Sequence, residues 1–128
     1  MLALLAATYY EVGAFAFRCG FEWTHNTGKI GHYRSSIAEE SALVVGGVGR
    51  SAAQEMTKEA IKTYNPDLVV TAGFAAGVKP DVHTGHAFVC DRLFSTECEG
   101  SPWRVSGPMT IPEDARDRAM VVCASSGV

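Results

Sequence analysis

The chain carries no surplus of positive charge, no Cys-x-x-Cys pair and no apolar run long enough to cross a membrane. Each absence removes a class of function. With 14 acidic against 11 basic side chains the net charge is −3, so nothing marks a surface for nucleic acid or an anionic membrane. The apolar opening from Met1 to Ala7 is far too short to span a bilayer. It has no basic segment and runs straight into Thr8, Tyr9, Tyr10 and Glu11, unlike a secretory signal. The cysteines, Cys19, Cys90, Cys98 and Cys123, lie far apart and read as reduced thiols in a cytoplasmic protein. His83 and His86 stand near Cys90, but they flank Gly85 in an expected turn rather than sharing a helix face, so no metal is expected. What remains is a small neutral or mildly polar ligand. At 128 residues there is room for one domain around one core.

Apolar periodicity organises the chain into alternating strands and helices. Leu2 to Ala7 reads as a buried strand, followed by a short helix from Glu11 to Cys19 with Val12, Phe15, Ala16 and Cys19 near helical spacing. Phe21 to Trp23 and Lys29 to Tyr33 are two strands around the turn residues Asn26, Thr27 and Gly28. Ala42 to Val45 is a further buried strand, ending in Gly46-Gly47-Val48-Gly49. Arg50 to Tyr64 then reads as a helix with Ala53, Met56, Ala60, Ile61 and Tyr64 on one side, stopped by Asn65-Pro66. Leu68-Val69-Val70 is short and β-branched, as in a parallel strand covered on both faces. Ala42 to Thr71 is therefore a βαβ unit with parallel strands. His86 to Asp91 is expected to be a strand and Ser95 to Gly107 a loop. Thr110-Ile-Pro-Glu113 resembles a capping box that opens a helix through Ala115, Ala119, Val122 and Cys123, closed by Gly127.

Two glycine-rich bends carry the chemistry. The segment Gly73-Phe-Ala75-Ala76-Gly77 follows a buried strand, where open α/β folds bind ligands and where bare backbone lets a ligand approach closely. A plain tight turn accounts for it equally well. Gly47-Val-Gly49-Arg-Ser-Ala52 matches the dinucleotide pattern G-x-G-x-x-A between strand and helix. That reading needs an acidic residue at the end of the next strand, and Asp67 stands at its start instead. No Gly-Lys-Ser/Thr follows either, so no nucleoside triphosphate loop is indicated.

Taken together, "GGVGRSAAQEM", a helix and "NPDLVVTAGFAAGVKPDVHTGHAFV" resemble the nucleoside phosphorylase and nucleosidase superfamily. The pattern is nearest to the 5′-methylthioadenosine/S-adenosylhomocysteine nucleosidases and is clearest from Ala42 to Asp91. The resemblance implies an α/β fold, a three-layer mixed sheet with flanking helices, of which this chain is the amino-terminal part. It implies hydrolysis of a purine (thio)nucleoside to free base and sugar, without a cofactor. By position, Glu11 of Glu11-Val12 would orient and activate the attacking water, although a helix first-turn carboxylate stabilised by the dipole reads the same way. Thr71, Gly73, Phe74, Ala75, Ala76 and Gly77 would line the base and sugar pocket. Gly47 and Gly49 would permit close packing of strand and helix.

The departures from the family pattern are specific. Where phosphorylases carry a phosphate-gripping arginine and serine, this chain has Thr71 and Phe74. Losing a bidentate cation and a hydroxyl favours water over phosphate as nucleophile. Phe74 also replaces a small polar residue of the nucleosidases, Ala76 a glycine and His86 an aspartate. The family's later Met-Glu segment and late aspartate have no counterpart before Val128, so the chain as it stands is expected to lack the acid for the leaving base and, with an apolar sheet edge exposed, either to associate, as in a homo-oligomer, or to be unstable. A phosphate-dependent phosphorylase and a non-catalytic nucleoside-binding module are the alternatives.

Overall fold

The computed structural model describes residues 1–97 and 104–114. The chain forms two compact units, Met1–Ala76 and Gly77–Val128. The first contains β1 (Leu2–Ala6), α1 (Tyr9–Arg18), β2 (Phe21–Thr27), β3 (Ile30–Ser35), β4 (Ser41–Val45), α2 (Arg50–Tyr64) and β5 (Leu68–Thr71). The five strands make one mixed sheet in the order β2-β3-β4-β1-β5. β1 runs parallel to both neighbours, with Ala6 opposite Val45 and Leu5 opposite Thr71. β3 is antiparallel to β4 and to β2. The βαβ unit expected over Ala42 to Thr71 is present, with β1 inserted between its two strands.

Residues alternate between the faces of a strand, and β1 uses both. Ala3 and Leu5 join Val44, Met56 and Ala60 in a core beneath α2. Leu4 and Ala6 join Leu43, Val12, Ala16 and Phe21 in a second core beneath α1. Two helices on opposite faces of a central sheet give the three layers the resemblance implied, and explain why β1 and β4 read as unbroken apolar runs. Each fully buried leucine, Leu5 and Leu43, contributes about 1.5–3 kcal/mol through removal from water.

Helix α2 has the bounds expected from its sequence. Asn65 closes it in the left-handed region at φ 42°, with its N–H donating to the Ile61 carbonyl at 2.9 Å, and Pro66 prevents continuation. Its buried stripe is Met56 and Ala60, with Tyr64 packed against it. Ala53 and Ile61, expected on that stripe, face solvent. The close approach of helix to strand falls at Gly46, where a Cβ would lie 2.6 Å from Met56 Cβ. Gly47 and Gly49, expected to permit close packing of strand and helix, sit in the bend between β4 and α2. They hold φ of 100° and 103°, which only glycine adopts without strain.

β5 departs from expectation. Its residues alternate between half-buried and exposed, and Val69 is 37% exposed. It is an edge strand of the described sheet rather than one covered on both faces. The reason is placement: α2 packs on β1 and β4, leaving Val69 and Thr71 uncovered, while Val70 reaches the α1 core on the other face.

One imidazole lies wholly inside this unit. His32 on β3 is fully buried, with Nδ1 2.8 Å from the Tyr64 hydroxyl. Nε2 finds no hydrogen-bond partner among the described residues and stands 3.9 Å from Glu59 Oε1. The His25 ring stacks on it at 4.4 Å. A proton on Nε2, facing the carboxylate, and a bare Nδ1 accepting from the Tyr64 O–H is the tautomer these neighbours favour. Burial and then His25 push its pKa below the usual range, against the pull of Glu59.

In the second unit, β6 (Arg92–Glu97) and β7 (Arg104–Thr110) pair antiparallel, with Arg92 opposite Thr110. The strand expected at His86–Asp91 is irregular up to Cys90, and pairing begins only at Arg92. Part of the expected loop from Ser95 to Gly107 is strand instead. What defines it as strand is the backbone ladder of β6 against β7, whereas periodicity reads only an apolar face. Glu113 and Asp114 are helical. The rest of the expected helix through Cys123 and Gly127, like Cys98, lies outside the described residues. Among those described, no helix is long and apolar enough to cross a membrane.

Candidate functional site

Because β1, β4 and β5 are parallel and in register, their carboxyl ends meet at one rim of the sheet. The bend after β4 is tied to the exit of β1 through Gly46 N–H to Ala6 O at 3.3 Å and Gly47 N–H to Ala7 O at 2.8 Å. On the other side, Ala72 N–H donates to Leu5 O at 2.9 Å. Both glycine bends thus flank the segment that turns from β1 into α1.

Helix α1 opens at this rim. Thr8 is its N-cap, and Glu11, at the third helical position, completes a capping box, answering the first-turn N–H groups that have no partner within the helix. Glu11 Oε2 accepts from the Thr8 N–H at 3.0 Å and from the Thr8 hydroxyl at 3.3 Å. Oε1 reaches the segment after β5 and accepts from the Phe74 N–H at 3.1 Å. A Cβ on Gly73 would stand 3.0 Å from that same oxygen. The Phe74 N–H, then the Thr8 N–H and hydroxyl, hold the Glu11 carboxyl below its ordinary pKa. The group is anionic at neutral pH and does more than cap a helix.

Beside it lies an open pocket of about 340 Å³, lined by Leu4, Glu11, Val12, Phe15, Ala72, Gly73 and Phe74. Glu11 is the one ionisable side chain in that lining. Phe74 projects outward, 72% exposed, with its ring edge-on to Tyr10 at 6.4 Å.

Of the residues singled out from the sequence, Glu11, Gly73 and Phe74 come together here. Thr71, the last residue of β5, is exposed and absent from the lining, as are Ala75 and Ala76. Gly77 belongs to the second unit, where it abuts Val82. Gly47 and Gly49 also lie outside the lining. Leu4, Val12, Phe15 and Ala72 escaped the sequence reading as pocket residues, because apolar side chains at strand and helix period read as core. The signal was present in the placement of Phe15 four residues after Glu11, which puts it beside the carboxylate on one helix face. His83 and His86 meet edge-on at 5.6 Å, and among the described residues no three metal-binding side chains gather.

The family model described as the Phosphorylase superfamily matches residues 2–126. No curated protein matches the chain. Among solved structures, the chain is similar to a 5′-methylthioadenosine/S-adenosylhomocysteine nucleosidase from Neisseria meningitidis in complex with methylthio-immucillin-A, with a TM-score of 0.56 and 20% identity over 64% of this chain. The match spans 36% of the nucleosidase chain, about a third of its length. At that identity the likeness is one of fold.

Proposed function

The chain belongs to the phosphorylase superfamily, and from that membership we propose that the pocket at α1 takes a purine (thio)nucleoside and supports hydrolysis of its N-glycosidic bond. In this reading water attacks the anomeric carbon and gives up a proton to Glu11. The carbon–nitrogen bond breaks, and the base leaves with the electron pair and is protonated from solvent. Gly73 and the Phe74 N–H form the wall against which the carboxylate is held, and no cofactor takes part. Ala75 and Ala76, next along the chain from Phe74, are the residues of the family pattern that would extend the sugar and base contacts. A cytoplasmic setting suits the free thiols of Cys19 and Cys90.

The observation that carries the reading is a single anionic group at the edge of an apolar pocket, with no cation in the lining. A general base must be charged and within reach of the proton it removes. A phosphate dianion would face Glu11 with nothing to neutralise it, which argues for water over phosphorolysis. A second reading, a nucleoside-binding module without turnover, draws support from the same carboxylate. Three donors already occupy it, and a lowered pKa makes a weak base.

Chromatographic detection of free base from methylthioadenosine, adenosine and inosine, paired with calorimetry, separates these readings. Hydrolysis predicts base release unaffected by phosphate or arsenate. Glu11→Gln should then lower release by roughly 10²–10⁴-fold, the range for a general base, with adenine binding near that of the parent. Acceleration by arsenate would establish phosphorolysis, and binding without release would establish the module. Unchanged turnover in Glu11→Gln would remove Glu11 from the mechanism.

A further inference from the structure

A carboxylate offers about four acceptor positions, and around Glu11 they are filled unevenly. Oε2 takes two donors, both from Thr8. Oε1 takes one, the Phe74 N–H, and a Cβ on Gly73 would come within 3.0 Å of it. The Thr8 N–H would remain whatever side chain stood at that position. The hydroxyl is the part that this side chain adds.

We propose that Thr8 is a positioning residue, whose hydroxyl saturates Oε2 of Glu11 and so leaves Oε1, at the bare backbone of Gly73, as the oxygen that receives the water proton. The geometry requires both ties. With Oε2 pinned to the N-cap and Oε1 to Phe74, the carboxylate plane can neither rotate about its last bond nor withdraw toward solvent. A hydrogen bond to an ionised acceptor is about twice as strong as a neutral one, so the hydroxyl also favours the charged form of the base at low pH. The role in turnover rests on the nucleosidase reading; the coupling of Thr8 to Glu11 does not.

Thr8→Val keeps the side-chain volume and removes the donor, and Thr8→Ser restores the donor without the methyl group. Titration of the Glu11 side-chain carboxyl by carbon-detected NMR should show Thr8→Val ionising at higher pH than the parent, and Thr8→Ser returning toward it. In the methylthioadenosine cleavage assay, the acid limb of the rate profile should move upward in pH in Thr8→Val. The rate below that limb should fall roughly tenfold, as expected for one lost hydrogen bond to an ionised acceptor, and Thr8→Ser should recover it. A purely capping role would lower thermal stability in Thr8→Val without moving either titration or profile, and identical carboxyl titrations in parent and Thr8→Val would overturn the proposal. If the carboxyl titration shifts while the parent releases no base, the Thr8–Glu11 coupling holds and the hydrolytic reading alone fails.

Discussion

Replacing Gly73 by alanine separates the site from the fold. Gly73 is not among the glycines with positive φ, so alanine meets no backbone penalty there, and loss of glycine's freedom in the unfolded chain should stabilise by about 0.4–1 kcal/mol. The methyl group, however, would stand 3.0 Å from Glu11 Oε1, where an ordinary contact begins near 3.4 Å. Oε1 must therefore retreat by the difference, about 0.4 Å. Added to the present 3.1 Å bond from the Phe74 N–H, that retreat brings the distance to about 3.5 Å, the limit at which such a bond still counts. A misplacement of about 1 Å can cost about 100-fold in rate; 0.4 Å scales to roughly sixfold. Base release from methylthioadenosine should fall by about that factor while the urea midpoint holds or rises. Full activity in a Gly73→Ala variant whose crystal structure shows the methyl group against an unmoved Glu11 would refute the argument that this oxygen is the working one.

Two predictions concern the fold. The His32 pKa is lowered in the folded state, so the unfolded chain takes up the proton first as pH falls. The stability His32 contributes is complete above about pH 6.5, the ordinary histidine value, and declines as acid is added, by at most about 1.4 kcal/mol per pH unit. Glu11, Glu59 and Asp67, whose pKa values are also lowered, lose their contributions only in more acidic solution. Urea midpoints at pH 7.5 and 5.5 should therefore differ in the parent and converge in His32→Gln; a midpoint that rises on acidification would refute the assignment. Gly46→Ala would press a methyl group to within 2.6 Å of Met56 Cβ, at the stiff root of that side chain, and overpacking of this kind destabilises by about 1–3 kcal/mol. A denaturation curve superimposable on the parent's would show that α2 can shift freely.

The elements of the first unit were legible because their signals are local. α2 was bounded correctly at both ends, since the glycines before Arg50 and Asn65-Pro66 after it act on their own neighbours. β1 and β4 were visible because burial on both faces leaves them without polar interruption. Where pairing leaves no apolar period in the sequence, the reading failed: β6 and β7 carry polar residues through a backbone ladder, and β5 looked doubly covered although Val69 and Thr71 are exposed. At the site, Glu11 and the Gly73-Phe74 pair were recognisable from the family pattern. Phe15 and Val12 were hidden by a periodicity that does not distinguish a core face from a pocket wall.

The sequence by itself determined which stretches become strand and helix around β1, and that a carboxylate stands at the first turn after it. Only the tertiary structure decided what that carboxylate meets. The insertion of β1 between β4 and β5 brings Glu11 to Phe74 across 63 residues of chain. Strand order is a property of distant pairings that no local pattern encodes, whereas capping and periodicity act over a single turn.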